Sequence, residues 1–174
     1  MRKIIVNLCC SLDSYIEGAN REINWCFTDQ DYGMTDFLNR IDSIIFGRHS
    51  YVQLLEMAPD AFKDKRKIVI SKTLQNKDYD ALIISKNIKE EIENITSQSG
   101  KDIWFFGGAN LMSTFINLDL IDELMIAVHP LILGSGKPLF TNIDQRKKLK
   151  LMDSKSYSSG LVMLQYQINK STER

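Results

Sequence analysis

Cysteine and proline are scarce in this 174-residue chain, which contains three of each, and neither sign of charge is in excess. Lysine and arginine together number 22, as do aspartate and glutamate, so the formal net charge is zero. A chain without a basic excess lacks the electrostatic footprint of a nucleic-acid-binding protein, and we expect neither a nucleic-acid nor a membrane partner. The chain also lacks any run of about 18 apolar residues, which excludes a membrane-spanning helix.

The three cysteines indicate neither a disulfide framework nor a zinc site. Cys9 and Cys10 are adjacent, and Cys26 is a third, isolated thiol. An odd number without regular spacing is untypical of a secreted protein, and two histidines, His49 and His129, are too few to suggest zinc. The apolar run at the N-terminus is interrupted too early for a signal peptide. We therefore expect a cytoplasmic protein without a metal ion.

Short apolar runs rich in β-branched residues alternate with amphipathic segments along most of the chain. The apolar runs predict strands over residues 3–10, 43–46, 67–71, 81–85, 102–106 and 124–129. Helical spacing predicts helices over residues 34–40, 50–57 and about 87–97, with another after Gly108. Asn87 and Glu90 resemble a capping box at the third of these helices.

The last part of the chain predicts two strands, over residues 149–155 and 161–168, joined around Gly160. Alternating strands and helices favour a mostly parallel sheet. We expect a single domain over residues 1–174 with an α/β, three-layer fold: a central, mostly parallel, twisted sheet, helices on both faces, and a C-terminal antiparallel hairpin. In such sheets ligands bind beyond the carboxyl ends of the strands.

Two adjacent glycines, Gly107 and Gly108, stand between a buried strand and a helix in this pattern. Paired glycines let the backbone approach a ligand closely, and the following helix start offers free N–H groups and the positive end of its dipole. That arrangement suits a dinucleotide pyrophosphate. A junction that serves packing only remains an open alternative.

Two further strand ends carry groups that bind anions. Arg48, His49 and Ser50 follow the glycine that ends one strand, and Arg offers a planar fork of donors for phosphate. Ser71 and Lys72 follow the next strand. Each set taken alone also fits a capped helix or turn with solvated charges.

Four segments occur in the order expected of the dihydrofolate reductase-like superfamily. The chain most closely resembles its riboflavin-pathway branch, which includes the reductase half of bifunctional deaminase-reductases and small stand-alone relatives. The segments that give this resemblance are 46–51 (FGRHSY), 70–72 (ISK), 106–111 (FGGANL) and 129–140 (HPLILGSGKPLF). The last is the most specific, and folate reductases proper lack it.

The resemblance implies an NADPH-dependent reductase. Arg48, His49 and Ser50 would hold phosphate groups, and Ser71 and Lys72 would lie along the adenosine 2′-phosphate. The other implied cofactor contacts lie at the first strand and its turn and around the glycine pair: Cys10, Ser11, Ile16, Gly18, Gly47, Gly107, Gly108, Ala109, Asn110 and Leu111. Because folate reductases join their paired glycines by a cis peptide bond, we expect one here between Gly107 and Gly108.

Asp36 is the candidate catalytic acid. Folate reductases carry a carboxylate shortly after a tryptophan, and here Trp25 is followed by Asp29, Asp31 and Asp36, of which Asp36 begins a predicted helix. A buried carboxylate with a raised pKa could relay a proton to an imine nitrogen. An ordinary N-cap or surface carboxylate is the open alternative.

Asp13 and Trp25 are the candidate substrate contacts. Asp13 is typical of the family's opening loop, and Trp25 could stack on a planar heterocycle. The alternatives are a turn aspartate that binds backbone N–H groups and a tryptophan that packs the core or a lid. Ala127 lies near the place of the threonine that contacts pterin in folate reductases, which disfavours a folate substrate.

The leading hypothesis is hydride transfer to a small heterocyclic substrate, pteridine-like or a ribosylamino-pyrimidine, as in 5-amino-6-(5-phosphoribosylamino)uracil reductase. Dihydrofolate reduction is the second hypothesis. A hypothesis of another class is a catalytically silent NADP(H)-binding sensor or partner module. The terminal hairpin edge and the habit of the family suggest a homodimer.

Overall fold

The computed structural model describes residues 1–75 and 79–170, which form ten strands and four helices. The helices are α1 (Met34–Arg40), α2 (Arg48–Met57), α3 (Ile88–Ser97) and α4 (Ala109–Asn117). The strands are β1 (Ile4–Ser11), β2 (Tyr15–Glu17), β3 (Ile41–Gly47), β4 (Arg66–Ile70), β5 (Leu82–Ile84), β6 (Asp102–Gly107), β7 (Glu123–His129), β8 (Lys137–Pro138), β9 (Leu149–Ser156) and β10 (Val162–Ile168). None of the helices described is long and apolar enough to cross a bilayer.

Eight of the strands form one sheet in the order β5-β4-β3-β6-β1-β7-β10-β9. All pairs from β5 to β7 are parallel, while β10 pairs antiparallel with both β7 and β9. The predicted mostly parallel sheet with a C-terminal hairpin is confirmed. The hairpin leaves β9 as an edge strand whose eight residues are all exposed.

Helices cover both faces of this sheet, which confirms the three-layer fold. On one face α1 and α2 contribute Phe37 and Tyr51 to a core that includes Trp104. On the other face α3 and α4 contribute Ile92 and Phe115. Because side chains alternate along a strand, β1 supplies residues to both cores.

Two features of the fold differ from the sequence prediction. The small sheet of β2 and β8 lies where we expected only loop, because its short strands form through a long-range pairing, Tyr15 with Pro138. The prediction of a capping box at α3 is wrong. Asn87 has left-handed backbone angles (φ 49°) and makes no side-chain cap hydrogen bond, whereas a capping side chain requires an extended N-cap residue.

The amino edge of the sheet is held by ion pairs around Glu123. Its buried carboxylate contacts Lys3 Nζ at 2.7 Å and Arg40 Nη1 at 2.9 Å. Burial alone raises the pKa of Glu123, but hydrogen bonds from Arg40 and Lys3 outweigh it and leave the pKa below its usual value of 4.5. These charges therefore stabilise the fold at the edge opposite the candidate site.

Candidate functional site

The carboxyl ends of β3 and β6 lie side by side and each leads directly into a helix. Phe46 pairs with Gly107 in the register, and Gly47 and Gly108 are the N-cap residues of α2 and α4. A Cβ atom added to Gly47 would lie 3.4 Å from both the carbonyl oxygen of Gly107 and the amide nitrogen of Gly108. The N-termini of α2 and α4 therefore lie next to each other, beside glycine backbone that no Cβ atom covers. The Gly107–Gly108 peptide bond is cis, as expected.

A cavity of about 840 Å³ opens above this junction. Residues of both first helical turns line it: His49 and Ser50 from α2, and Ala109 and Asn110 from α4. A Cβ atom on Gly108 would lie 3.6 Å from the Ser50 hydroxyl oxygen, so the two turns nearly touch. The rest of the lining comes from α2, from the turn after β2 and from the segment around β8: Glu17, Gly18, Ala19, Arg21, Gln53, Gly136, Lys137, Pro138 and Thr141.

Arg48 and Lys72 are exposed cations at the ends of neighbouring strands. The Arg48 guanidinium donates to Thr73 Oγ1 at 3.5 Å and to His49 Nε2 at 2.9 Å. Within residues 1–75 and 79–170, neither cation forms a salt bridge with a carboxylate. Both charges therefore remain available to an anion.

The Ser71 hydroxyl, by contrast, is engaged in its own turn. Ser71 is buried, and its Oγ accepts hydrogen bonds from the N–H groups of Thr73 at 3.2 Å and Leu74 at 3.1 Å. This is the geometry of a serine that fixes a loop through neighbouring backbone groups. Ser71 thus positions Lys72 and Thr73 through its hydroxyl.

Asp13 and Ser11 hold a loop rather than open into the cavity. The Asp13 carboxylate accepts hydrogen bonds from Ser11 Oγ at 2.6 Å and from the N–H groups of Leu133 at 3.1 Å and Gly134 at 2.7 Å. The hydrogen bond from Ser11, joined by these backbone bonds, lowers the pKa of Asp13. Both carboxylate oxygens are occupied, so the structure favours the loop-binding alternative for Asp13 over substrate contact.

Trp25 lies in the connection between β2 and α1 and packs against His129. The two rings meet edge to face with centroids 5.3 Å apart. His129 is buried, and its Nε2 accepts a 3.0 Å hydrogen bond from the Phe27 N–H. Nδ1 therefore bears the proton and donates to the Ala127 carbonyl oxygen at 3.1 Å. The indole N–H donates to the Glu22 carbonyl oxygen at 3.2 Å, so Trp25 belongs to an ordered segment, residues 25–27, which we call the lid and which does not line the large cavity.

Asp36 lies in the first turn of α1, but its side chain is exposed. The seven-residue helix buries only Phe37, which leaves Asp36 on the solvent side. Asp31 binds the N-terminal end of this helix instead, accepting hydrogen bonds from Thr35 that lower the pKa of Asp31. The buried environment that a proton relay through Asp36 requires is therefore missing.

Three implied cofactor residues point their side chains into the core. Cys10 is buried, and Ile16 and Leu111 pack against the same core. Burial raises the pKa of the Cys10 thiol to about 11. Only the backbone of Cys10 and Ile16 is then available to a ligand.

Sequence reasoning missed the two cations of the β2 and β8 region, Lys137 and Arg21. Lys137 Nζ lies 3.1 Å from Glu17 Oε1, and both line the cavity with Arg21. A Cβ atom on Gly136 would lie 2.1 Å from the Glu17 carbonyl oxygen, so only glycine permits this approach. The Gly-Lys-Pro segment was the available signal for Lys137, whereas nothing in the pattern distinguished Arg21.

The sheet order, the two covered faces and the glycine-bordered carboxyl edge define a dihydrofolate reductase-like α/β protein. The chain belongs to the RibD C-terminal domain family, whose sequence profile matches residues 2–163. Uncharacterized protein YyaP of Bacillus subtilis (strain 168) is 44% identical over 181 residues, covering 97% of this chain and 96% of that protein. Uncharacterized protein YwjB of the same strain is 31% identical over 170 residues, covering 95% and 97%.

Solved structures share the fold. A protein of Shewanella sp. PV-4 assigned to riboflavin biosynthesis has a TM-score of 0.85 at 22% identity, covering 97% of this chain and 99% of that chain. The diaminohydroxyphosphoribosylaminopyrimidine deaminase/5-amino-6-(5-phosphoribosylamino)uracil reductase of Thermotoga maritima has a TM-score of 0.73 at 13% identity. That match covers 97% of this chain and 57% of the Thermotoga chain. These likenesses show the fold that the chain shares with both proteins.

Proposed function

We propose that the chain is a cytoplasmic, NADPH-dependent reductase whose cofactor phosphates bind between the starts of α2 and α4. The observation that supports this most strongly is the convergence of two helix N-termini at Gly47 and Gly108. Free N–H groups and two positive dipole ends favour an anion there. The glycines leave the space that a Cβ atom would fill, and Ser50 and Asn110 add polar groups beside it. The donor set therefore fits a pyrophosphate.

The adjacent cations support NADPH over NADH. Arg48 and Lys72 lie beyond the ends of β3 and β4, and the Thr73 hydroxyl lies 3.5 Å from the Arg48 guanidinium. A terminal 2′-phosphate would meet a guanidinium able to bind two oxygens and a second positive charge. NADH, which lacks that phosphate, would gain nothing from either cation.

NADPH, when bound, supplies the hydride, so the chain needs to provide binding, alignment and a proton. The buried carboxylate of the described residues is Glu123, at the opposite edge of the sheet. With Asp36 exposed, we propose that solvent supplies the proton to the reduced group. The lid residues Trp25 and Phe27, anchored on His129, would offer aromatic rings to a planar substrate that extends beyond the cavity.

We propose a ribosylamino-pyrimidine as the substrate, reduced at a C=N bond, by analogy with the reductase named for the Thermotoga maritima structure. The cavity of about 840 Å³ is large enough for a nucleotide and a second heterocycle. Arg21 would offer positive charge to a phosphate on the substrate, beside Lys137, whose charge is paired with Glu17. Dihydrofolate ranks second as a candidate substrate, because Ala127 lacks the hydroxyl group that a pterin-binding threonine supplies.

The direct test is to follow NADPH absorbance while the purified protein is offered the phosphoribosylamino-uracil, dihydrofolate and a simple aldehyde in separate reactions. The proposal predicts oxidation of NADPH with the uracil compound alone. Turnover with dihydrofolate alone would contradict the proposed substrate but still support an NADPH-dependent reductase. Tight NADPH binding without turnover of any compound would favour a sensor, and absence of NADPH binding would overturn the proposal.

We also propose that two copies associate through β9. This strand is the free edge of the sheet, and three of its apolar side chains are exposed: Leu149 at 43%, Leu151 at 53% and Met152 at 52%. An exposed edge strand of this kind offers both unpaired backbone groups and apolar surface to a second strand. Antiparallel pairing of β9 with its copy would satisfy both.

A further inference from the structure

Two cysteine side chains from distant parts of the fold meet beside the lid. Cys9 lies on β1 and Cys26 in the connection between β2 and α1, and their Sγ atoms are 2.8 Å apart. Neither thiol belongs to a disulfide, and both side chains are half-buried. A disulfide needs the two sulfurs about 2.05 Å apart, so a small movement would bring them to bonding distance.

The segment that carries Cys26 is fixed on both sides of that residue. Trp25 packs on His129, and the Phe27 N–H donates to the same imidazole. His129 in turn is fixed on β7, which pairs with β1 so that Cys9 faces Ala127 in the register. The sulfur contact therefore joins two segments whose backbones are each fixed by other contacts.

Solvent reaches the Cys26 side of this pair from a second cavity of about 370 Å³, which Cys26 lines together with Phe27, Thr28, Asp29 and Ser159. A small hydrophilic oxidant can enter a cavity of that volume. Cys10, next to Cys9 in the chain, is 2% exposed and lies on the other face of the sheet. The fold thus separates one accessible pair from one shielded thiol.

The two thiols of the pair differ in acidity. A hydrogen bond from Cys26 lowers the pKa of Cys9, and the same bond raises the pKa of Cys26. Thiolates, not thiols, attack oxidants, so whichever thiol of the pair ionises reacts first and the other then resolves it. Burial raises the pKa of Cys10 to about 11, which keeps it protonated and inert.

We propose that Cys9 and Cys26 form a reversible oxidation site that takes hydrogen peroxide. The thiolate of one cysteine attacks an oxygen of the peroxide and breaks the O–O bond, gaining an S–OH group, while the hydroxide that leaves takes up the proton that this cysteine released. The sulfur of the other cysteine then attacks the oxidised sulfur, forming the S–S bond as hydroxide leaves again and takes the proton of the second thiol. In sum, two thiols and one peroxide give one disulfide and two waters, and a dithiol reductant reverses the step by exchange. The disulfide would tie the lid to β1.

The test is peroxide treatment of the full-length protein without NADPH, followed by intact mass and peptide mapping. The Cys10→Ser variant should lose the mass of two hydrogen atoms, yield one cross-linked pair of peptides containing Cys9 and Cys26, and recover its mass with dithiothreitol. The Cys26→Ser variant should instead give a sulfenic acid at Cys9 that dimedone traps. Because neither assay uses NADPH or substrate, failure of the proposed reductase function would leave these results unchanged.

Two outcomes would overturn the site. One is a Cys10→Ser protein in which peroxide forms no disulfide and oxidises Cys9 and Cys26 separately to sulfinic or sulfonic acids. The other is a disulfide that forms in wild type but involves Cys10.

Discussion

Gly47 and Gly107 end neighbouring parallel strands so closely that a Cβ atom on the first would lie 3.4 Å from the carbonyl oxygen of the second. Each strand turns directly into a helix, so the pair sets the distance between two positive helix ends. A phosphate placed between those ends would meet backbone N–H groups from both. Under the proposed function, these glycines would serve ligand binding as well as packing.

Gly47→Ala should fold and lose cofactor affinity. Gly47 has ordinary extended angles (φ −78°, ψ 158°), and the added methyl would make contacts of normal van der Waals length, so the free energy of unfolding should change by less than about 1 kcal/mol. The methyl group would occupy the space beside the phosphates, and the NADPH Kd should rise about tenfold, or 1.4 kcal/mol. Titration with NADPH and urea unfolding measure the two effects. Unchanged affinity would contradict the assignment of this cradle.

His129→Ala should loosen the lid. It removes the acceptor for the Phe27 N–H and the ring against which Trp25 packs, and an unsatisfied buried donor costs about 1–3 kcal/mol of unfolding free energy. The fluorescence of Trp25 should shift to the red as its ring becomes hydrated. The emission of the other tryptophan, buried Trp104, should not change. The other histidine, exposed His49, gives the control: in His49→Ala both quantities should stay near wild type. Equal effects in the two variants would show that His129 does not anchor the lid.

Hydrophobic patterning predicts most of the sheet, because buried parallel strands such as β3 and β6 are continuous apolar runs in the sequence itself. The helix over Met34–Arg40 also matches its prediction. What failed depends on distant partners. The β2 and β8 sheet, the Asp13 contact with the Gly134 N–H and the approach of Cys26 to Cys9 all join residues whose meeting no local period encodes.

The candidate site divides in the same way. Residues at strand ends, such as Arg48 and Asn110, could be placed from the sequence because parallel strands bring their carboxyl ends to one edge. The protonation role of Asp36 could not, because exposure depends on which side of a seven-residue helix the core covers. Ser71 and Asp13 were recognised as polar residues at the right edge, but their hydrogen bonds go to backbone groups of the loops beside them.

The carboxylate at the amino edge predicts how stability changes with pH. Because the pKa of Glu123 is lower in the folded chain than its usual 4.5, ionised Glu123 stabilises the fold above that pH, and this contribution is lost as pH falls through the folded pKa. Glu123→Gln should cost about 1–2 kcal/mol at neutral pH, since its partners Lys3 and Arg40 are partly solvated. The difference from wild type in urea unfolding should shrink as the pH falls below 4.5. A difference that stays constant with pH would show that the charge is not responsible.

Leu151→Lys should dissociate the proposed dimer. A lysine in the middle of β9 would place like charges together when the strand meets its copy. Sedimentation velocity should show a dimer for wild type and a monomer for the variant. Ile132→Lys, at a residue that is 72% exposed outside β9, is the matched control and should remain dimeric. A monomeric wild-type protein would contradict association through this edge.

The central claim, that NADPH binds at the start of α2 with its 2′-phosphate beside Arg48, is tested most directly by measuring NADPH and NADH binding to wild type and Arg48→Ala by calorimetry. Removing the charged hydrogen bonds should weaken NADPH by about 1.5–3 kcal/mol and leave NADH nearly unchanged. Arg66→Ala, at the amino end of β4, is the matched control and should bind as wild type does. Equal weakening of both nucleotides in Arg48→Ala, or no preference for NADPH in wild type, would contradict the account.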